Sequence, residues 1–210
     1  MKKFWSHIVL ALLGAGVLSC AHQVRLTVQN LYTDPAFSGR KLSGVEVAVL
    51  PLLSQQGPVR AGELESGTIL KQFSKIHPEL DLVGTDEFEN SAVRRGGLLR
   101  LESFYDDFYV GDVLTLKGAD SLWNAVEVPF LLVFRLKTGA RVRSFDAGVK
   151  KQFEIECELW DSEDREVLWR SVCVGESSGQ IEEGRMLFSS MSRLVESIPA
   201  VQPGYEPGSW

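Results

Sequence analysis

Two neighbouring stretches constrain the fold of this chain more than anything else in it. Gln152–Trp160 alternates polar and apolar residues as far as Leu159, Glu166–Val174 is rich in valine, leucine and tryptophan, and the polar run Asp161-Ser162-Glu163-Asp164-Arg165 separates them. A period of two marks a strand with one buried face, so the pair predicts an antiparallel hairpin. On the first strand Phe153, Ile155, Cys157 and Leu159 share the apolar side, opposite Glu154, Glu156 and Glu158. Counting parity along the second puts Leu168, Val172 and Val174 on the matching side and Cys173 on the other. By that count the thiols of Cys157 and Cys173 cannot meet, and two free cysteines are expected. The same count places Trp160 and Trp169 on the face away from the apolar side. There they are candidates for a partner-binding surface, since tryptophan is enriched at interface hot spots. Cover by the chain's own ends is the alternative.

Other elements follow from pattern. Val45 to Leu52, VEVAVLPL, is a continuous apolar run suited to a buried central strand. Ala61 to Ile76 places Leu64, Thr68, Phe73 and Ile76 along one helical stripe, which His77-Pro78 ends. Leu80–Val83 predicts a short strand. Thr85 then reads as an N-cap, with Asp86 and Glu87 in the first turn and Arg94 and Arg95 in the last, so 86–95 is predicted helical. Leu98, Leu101, Phe104, Tyr105, Phe108 and Tyr109 recur at helical spacing and read as core. A short helix is expected from Asp120 to Val126. Val128–Leu136, VPFLLVFRL, predicts a central strand with Pro129 at its start. Arg141, Arg143, Lys150 and Lys151 fall on the ribbon that follows. A last amphipathic helix is expected from about Gly184 to Ile198, with Met186 or Leu187, Met191, Leu194 and Ile198 inward.

The first twenty residues carry a different kind of signal. Lys2 and Lys3 precede Ile8–Leu18, eleven apolar or glycine residues in a row. That run is shorter than the roughly 17–25 residues of a membrane span and has the length of a signal-peptide core. It closes on Val17-Leu18-Ser19-Cys20, which resembles the lipobox of bacterial lipoproteins. The resemblance implies lipid transfer to the Cys20 thiol and cleavage before it. Ordinary secretion, with Ser19-Cys20-Ala21 as a small-x-small site, is the alternative. Two or three acyl chains on Cys20 would hold the protein on a membrane, where one chain is marginal. Ala21 lacks the aspartate that retains enterobacterial lipoproteins in the inner membrane, so the outer membrane is expected. The expected organisation is a signal peptide at 1–19, a lipidated N-terminus and tether at 20–44 with room for one edge strand around Val24–Val28, a folded domain at 45–198 and a flexible tail at 199–210.

Composition narrows the function classes. A hydrophobic share of 44% is that of a chain with a real core. Lys2 and Lys3 leave with the signal, so 22 basic residues become 20 against 28 acidic, a balance of −8. Such a chain, with no basic run, has no electrostatic footprint for nucleic acid and no polybasic segment for anionic lipid.

The order of elements adds a second resemblance. Val47-Ala48-Val49-Leu50-Pro51, and Leu159-Trp160-Asp161 through Val167-Leu168-Trp169, resemble a group of periplasmic lipoproteins. The group includes the curli-secretion lipoprotein CsgG, the penicillin-binding-protein activator LpoB and the N-terminal domain of TolB. The similarity spans roughly Val45–Ile198. The hairpin turn departs from it, with Glu163-Asp164-Arg165 where the group usually has a glycine, and the short link from Lys137 to Lys150 leaves no room for pore-forming insertions. What the resemblance implies is an α/β two-layer sandwich: a mixed, mostly antiparallel sheet with helices packed largely on one face. It also implies a non-enzymatic module that recruits, activates or assembles other envelope proteins, with oligomers possible. An auxiliary role in an envelope transport system is the alternative.

Catalytic patterns are few. Gly175-Glu176-Ser177-Ser178-Gly179 matches the G-x-S-x-G nucleophile elbow. That fold, however, takes its histidine from downstream of the serine, and the last histidine here is His77. No C-x-x-C, H-E-x-x-H, Walker or dinucleotide pattern occurs, so neither cofactor nor metal is expected. Asp106-Asp107 and Glu182-Glu183 could be imagined as hydrolytic pairs, but in so acidic a chain they read as solvated surface. A hydrolase is therefore the third reading, behind the two envelope roles.

Overall fold

Every residue from Val47 to Leu53 is buried, and a strand of that kind needs cover on both faces. The computed structural model provides it. The structure describes residues 23–55, 57–59, 66–96, 98–110, 128–144, 148–178 and 183–199. Its elements are β1 (Gln23–Thr33), β2 (Glu46–Ser54), β3 (Gly57–Val59), α1 (Ser66–Ile76), β4 (Asp81–Val83), α2 (Thr85–Gly96), α3 (Leu98–Val110), β5 (Phe130–Ser144), β6 (Gly148–Asp161), β7 (Glu166–Ser178) and α4 (Glu183–Glu196). The strands form one sheet in the order β1-β7-β6-β5-β2-β3, with β4 also on β2. β2 runs parallel to β4 and β5, and the other pairings are antiparallel.

This is the expected α/β sandwich with a mixed, mostly antiparallel sheet. The helices, expected largely on one face, divide between the two, because β2 and β5 are apolar on both sides. Ile69 and Phe73 of α1 and Met186, Leu187, Met191, Leu194 and Val195 of α4 pack on Val47, Val49, Leu132, Phe134, Ile155 and Cys157. Phe88 and Ala92 of α2 and Leu101, Phe104 and Tyr105 of α3 pack on Ala48, Leu50, Leu53, Leu131 and Val133. Alternation along β2 and β5 places these two sets on opposite sides.

Of the four register shifts among the described strands, two decide which side chains share a face. Val49 pairs with Leu132 and Leu52 with Phe134, so Leu50 and Pro51 together oppose Val133 alone. Proline has no N–H for the ladder, and a bulge is where a strand tolerates it. The Thr85 hydroxyl donates to the Val49 carbonyl at 2.8 Å, tying the start of α2 to this point. Thr85 was expected to cap its helix; its hydroxyl serves the sheet instead. The second bulge lies in the hairpin. Leu159 pairs with Trp169 and Trp160 with Val167, leaving Leu168 as the extra residue. In the turn itself Asp161 Oδ1 accepts from the amides of Glu163 and Asp164, at 3.0 and 3.1 Å. Arg165 takes φ = 56°, the left-handed conformation for which glycine is the usual choice.

The Leu168 bulge overturns the parity count. Beyond it, Trp169, Ser171 and Cys173 share the face of Ile155 and Cys157, because Cys173 pairs with Ile155 and Ser171 with Cys157. Both cysteines are free, as expected, but both are fully buried on one face and not on two. Burial raises both thiols above their ordinary value, Cys157 well above it.

The N-terminal segment contributes the edge strand expected around Val24–Val28, but the strand is longer, and the segment is more than a tether. β1 pairs with β7 along its length, from Gln23 opposite Ser178 to Thr33 opposite Trp169. Phe37 and Leu42, in and before a 3-10 turn at Gly39–Leu42, are buried in the main core. The folded unit thus begins at or before Gln23. Residues 1–22, the expected helix at 120–126 and the tail from 200 onward lie outside the described residues.

Candidate functional site

Trp160 and Trp169 are both 0% exposed, so they form no partner surface. The bulge at Leu168 sends them to opposite faces. Trp160 joins Leu131, Val133 and Tyr105, while Trp169 joins Leu159 and Cys173. Their polar ends differ as well. Trp160 Nε1 donates to Glu158 Oε2 at 2.7 Å, whereas Trp169 Nε1 has no partner among the described residues.

Glu158, 1% exposed, centres a buried charge cluster that alternation alone did not single out. β5 and β7 flank β6, and the register sets Arg170 opposite Glu158 and Arg135 opposite Glu156. Arg135 Nη2 donates to Glu158 Oε2, and its Nη1 donates to Glu156 Oε1 at 2.8 Å. Arg170 Nη2 stands 2.6 Å from Glu158 Oε1, an ion pair without hydrogen-bond alignment. Lys137 Nζ lies 3.3 Å from Glu156 Oε1. The acidic stripe 154-156-158 was visible in the sequence. Its partners were not, since Arg135 sits within the most apolar strand of the chain. Sharing each carboxylate between two cations offsets the desolvation of the group, and it fixes the β5–β6–β7 register.

Gly175–Ser178 of the G-x-S-x-G motif lie in β7, and Gly179 is outside the described residues. Ser177 pairs with Val24 on one side and Lys151 on the other, with no strand-to-helix turn at the serine. Gly175 serves packing: a Cβ there would stand 2.0 Å from Cζ of Phe153. We expect Gly175→Ala to cost about 1–3 kcal/mol through overpacking, and Phe153→Leu in the same chain to recover much of it. Chemical denaturation of the single and double variants measures this. His77 is also occupied. Its Nδ1 meets Glu79 Oε1 and its Nε2 the carbonyl of Val195, each at 2.8 Å. Both partners are acceptors, so the two bonds form together only when both ring nitrogens carry protons. Burial alone would raise the Glu79 carboxyl; the bonds from His77 and from its own backbone outweigh this and hold it below its ordinary value. Among the described residues no group of three or more His, Cys, Asp or Glu is placed to hold a metal ion, and no helix is long and apolar enough to cross a membrane.

The remaining surface feature is β1. Among the described residues no strand pairs with its outer edge, and Val24, Leu31 and Tyr32 are exposed. An open groove of about 1000 Å³ separates Val24, Leu26 and Val28 from Ser189, Arg193 and Ser197 at α4. Cys20, outside the described residues, precedes the start of β1 by three positions.

No protein-family profile matches the chain, and no curated protein matches it. Several solved structures overlap it in part. A PelC dodecamer from Paraburkholderia phytofirmans gives a TM-score of 0.40 at 13% identity, over 84% of this chain and 100% of that one. Lipoprotein GNA1162 from Neisseria meningitidis gives 0.39 at 15%, over 72% and 98%. The LpoB C-terminal domain from Salmonella enterica, from the group named above, gives 0.38 at 13%, over 70% and 87%. At such scores these are partial likenesses of chain path and carry no statement about activity.

Proposed function

We propose that this protein is a bacterial envelope lipoprotein, held by lipid on Cys20 at the outer membrane and facing the periplasm. There it acts as a non-enzymatic interaction, assembly or activator module for another envelope protein. The observation that carries the reading is the order of basic, apolar and small residues ending at Cys20, three positions ahead of a strand built into the sheet. An anchor so placed holds the folded domain close to the lipid. The occupied His77, and a motif serine held in strand pairing, favour a module over a hydrolase.

The free edge of β1 is the surface best suited to a partner, since an unpaired strand offers main-chain donors and acceptors beside exposed Leu31 and Tyr32. Photo-crosslinkers at Leu31 and Tyr32 in cells should capture a discrete envelope protein or a second copy of this chain. The same probes in a Cys20→Ser background should lose that product. Probes that give no product above background in the anchored protein would contradict a β1 docking edge.

A further inference from the structure

No stretch of this sequence is a basic run, but strand pairing assembles a basic end. Beyond Leu136 the partner strand β2 falls away, β7 stays beside β6 as far as Lys150, and β5 and β6 pair on as a ribbon to Ser144 and Gly148, past the end of β7. Arg141 lies directly opposite Lys151, and Arg143 and Lys150 occupy neighbouring rungs. Like charges on opposed positions of an antiparallel pair weaken it, so this arrangement calls for a counter-charge. The register also locates this end relative to the anchor. Gln23, Ser178, Lys150 and Val142 form one row across four strands, and Val24, Ser177, Lys151 and Arg141 form the next. Four strands span about 14 Å, and the three steps from Gln23 back to Cys20 reach at most about 11 Å. The basic positions therefore lie within a short radius of the attachment point.

Charge is divided accordingly. Residues 20–25, 140–152 and 176–182 hold five basic residues (Arg25, Arg141, Arg143, Lys150 and Lys151) and three acidic ones (Asp146, Glu176 and Glu182), a balance of +2. The rest of the chain from Cys20 onward, at −10 of the total −8, is repelled by an anionic surface. We propose that the free end of the β5–β6 ribbon docks on the anionic phospholipid headgroups of the membrane that holds Cys20, fixing how the domain stands on it. The proposal rests on the reading of Cys20 as the lipid-bearing residue. Attraction of this kind acts within a Debye length, about 8–10 Å at ordinary ionic strength, so an anchor this near makes it effective.

The test uses the lipidated full-length protein with Ser144→Cys carrying a fluorophore; Cys157 and Cys173 are buried and Cys20 is occupied. It is reconstituted on vesicles of phosphatidylcholine alone, or with phosphatidylglycerol, each containing a headgroup-linked quencher. We expect quenching about twofold or more stronger on the phosphatidylglycerol vesicles, falling with added salt. It should be lost when Arg141, Arg143, Lys150 and Lys151 are all replaced by Gln. That neutral set also removes the opposed like charges, so its fold should hold, and circular dichroism verifies it. Co-sedimentation at high salt without composition-dependent quenching overturns the ribbon proposal and leaves the anchor intact. Failure to co-sediment at high salt overturns the anchor, and binding to phosphatidylglycerol vesicles at low salt then still decides for or against the ribbon.

Discussion

Trp160→Ala should cost about 3–5 kcal/mol of folding stability, and Trp169→Ala a similar amount. Both rings are fully buried, one on each face of the sheet, so each truncation opens a cavity where neighbours are fixed by helices. The phenylalanine variants should separate the two. Trp160→Phe removes the N–H that donates to Glu158 Oε2 and leaves that oxygen only its bond from Arg135; Trp169→Phe removes an N–H that has no partner among the described residues. A hydrogen bond to a charged group contributes about 1.5–3 kcal/mol, so Trp160→Phe should be the more costly by that margin. Urea or guanidinium midpoints for the four variants measure it. Alanine variants that keep wild-type stability would place these rings at the surface after all.

Glu158→Ala should be as severe, about 3–5 kcal/mol, because it leaves Arg135 inside the protein beside one remaining carboxylate. Arg170 is less affected, since it is 30% exposed and can turn to water. The loss should depend little on added salt, as buried pairs are weakly screened. Replacing both partners with apolar groups, Glu158→Leu with Arg135→Met, should recover most of it, since Glu156 keeps Lys137 and the partly exposed Arg170 can turn to water, so no deeply buried charge is left alone. A double variant as unstable as the single one would show that the cluster sets the β5–β6–β7 pairing and not only its own electrostatics.

The parts of the fold legible in the sequence were those written in long, regular patterns. The mostly apolar runs at Val45–Leu52 and Val128–Leu136 became the adjacent central strands β2 and β5. The charge order around Thr85–Gly96 became α2, and the stripe of Leu101, Phe104 and Tyr105 became core. What failed was counting across a single inserted residue. Leu168 carries no mark of a bulge, yet one extra residue inverts every side chain after it, moving Cys173 to the face of Cys157 and splitting the tryptophans. β1 was underestimated for a related reason. Its mixed residues suit an edge strand wet on one face, a pattern close to that of a tether, and its length shows only in the pairing with β7. The charge cluster is likewise a product of register, because nothing local tells Arg135 that Glu156 and Glu158 lie across from it.

The lipid on Cys20 is the claim on which the reading of this protein stands. Metabolic labelling with a clickable fatty acid, followed by membrane fractionation, tests it most directly. The wild-type chain should carry the label, begin at Cys20 and sediment with membranes, and Cys20→Ser should lose both label and membrane retention. A Cys20→Ser protein that still labels and still fractionates with membranes would contradict it.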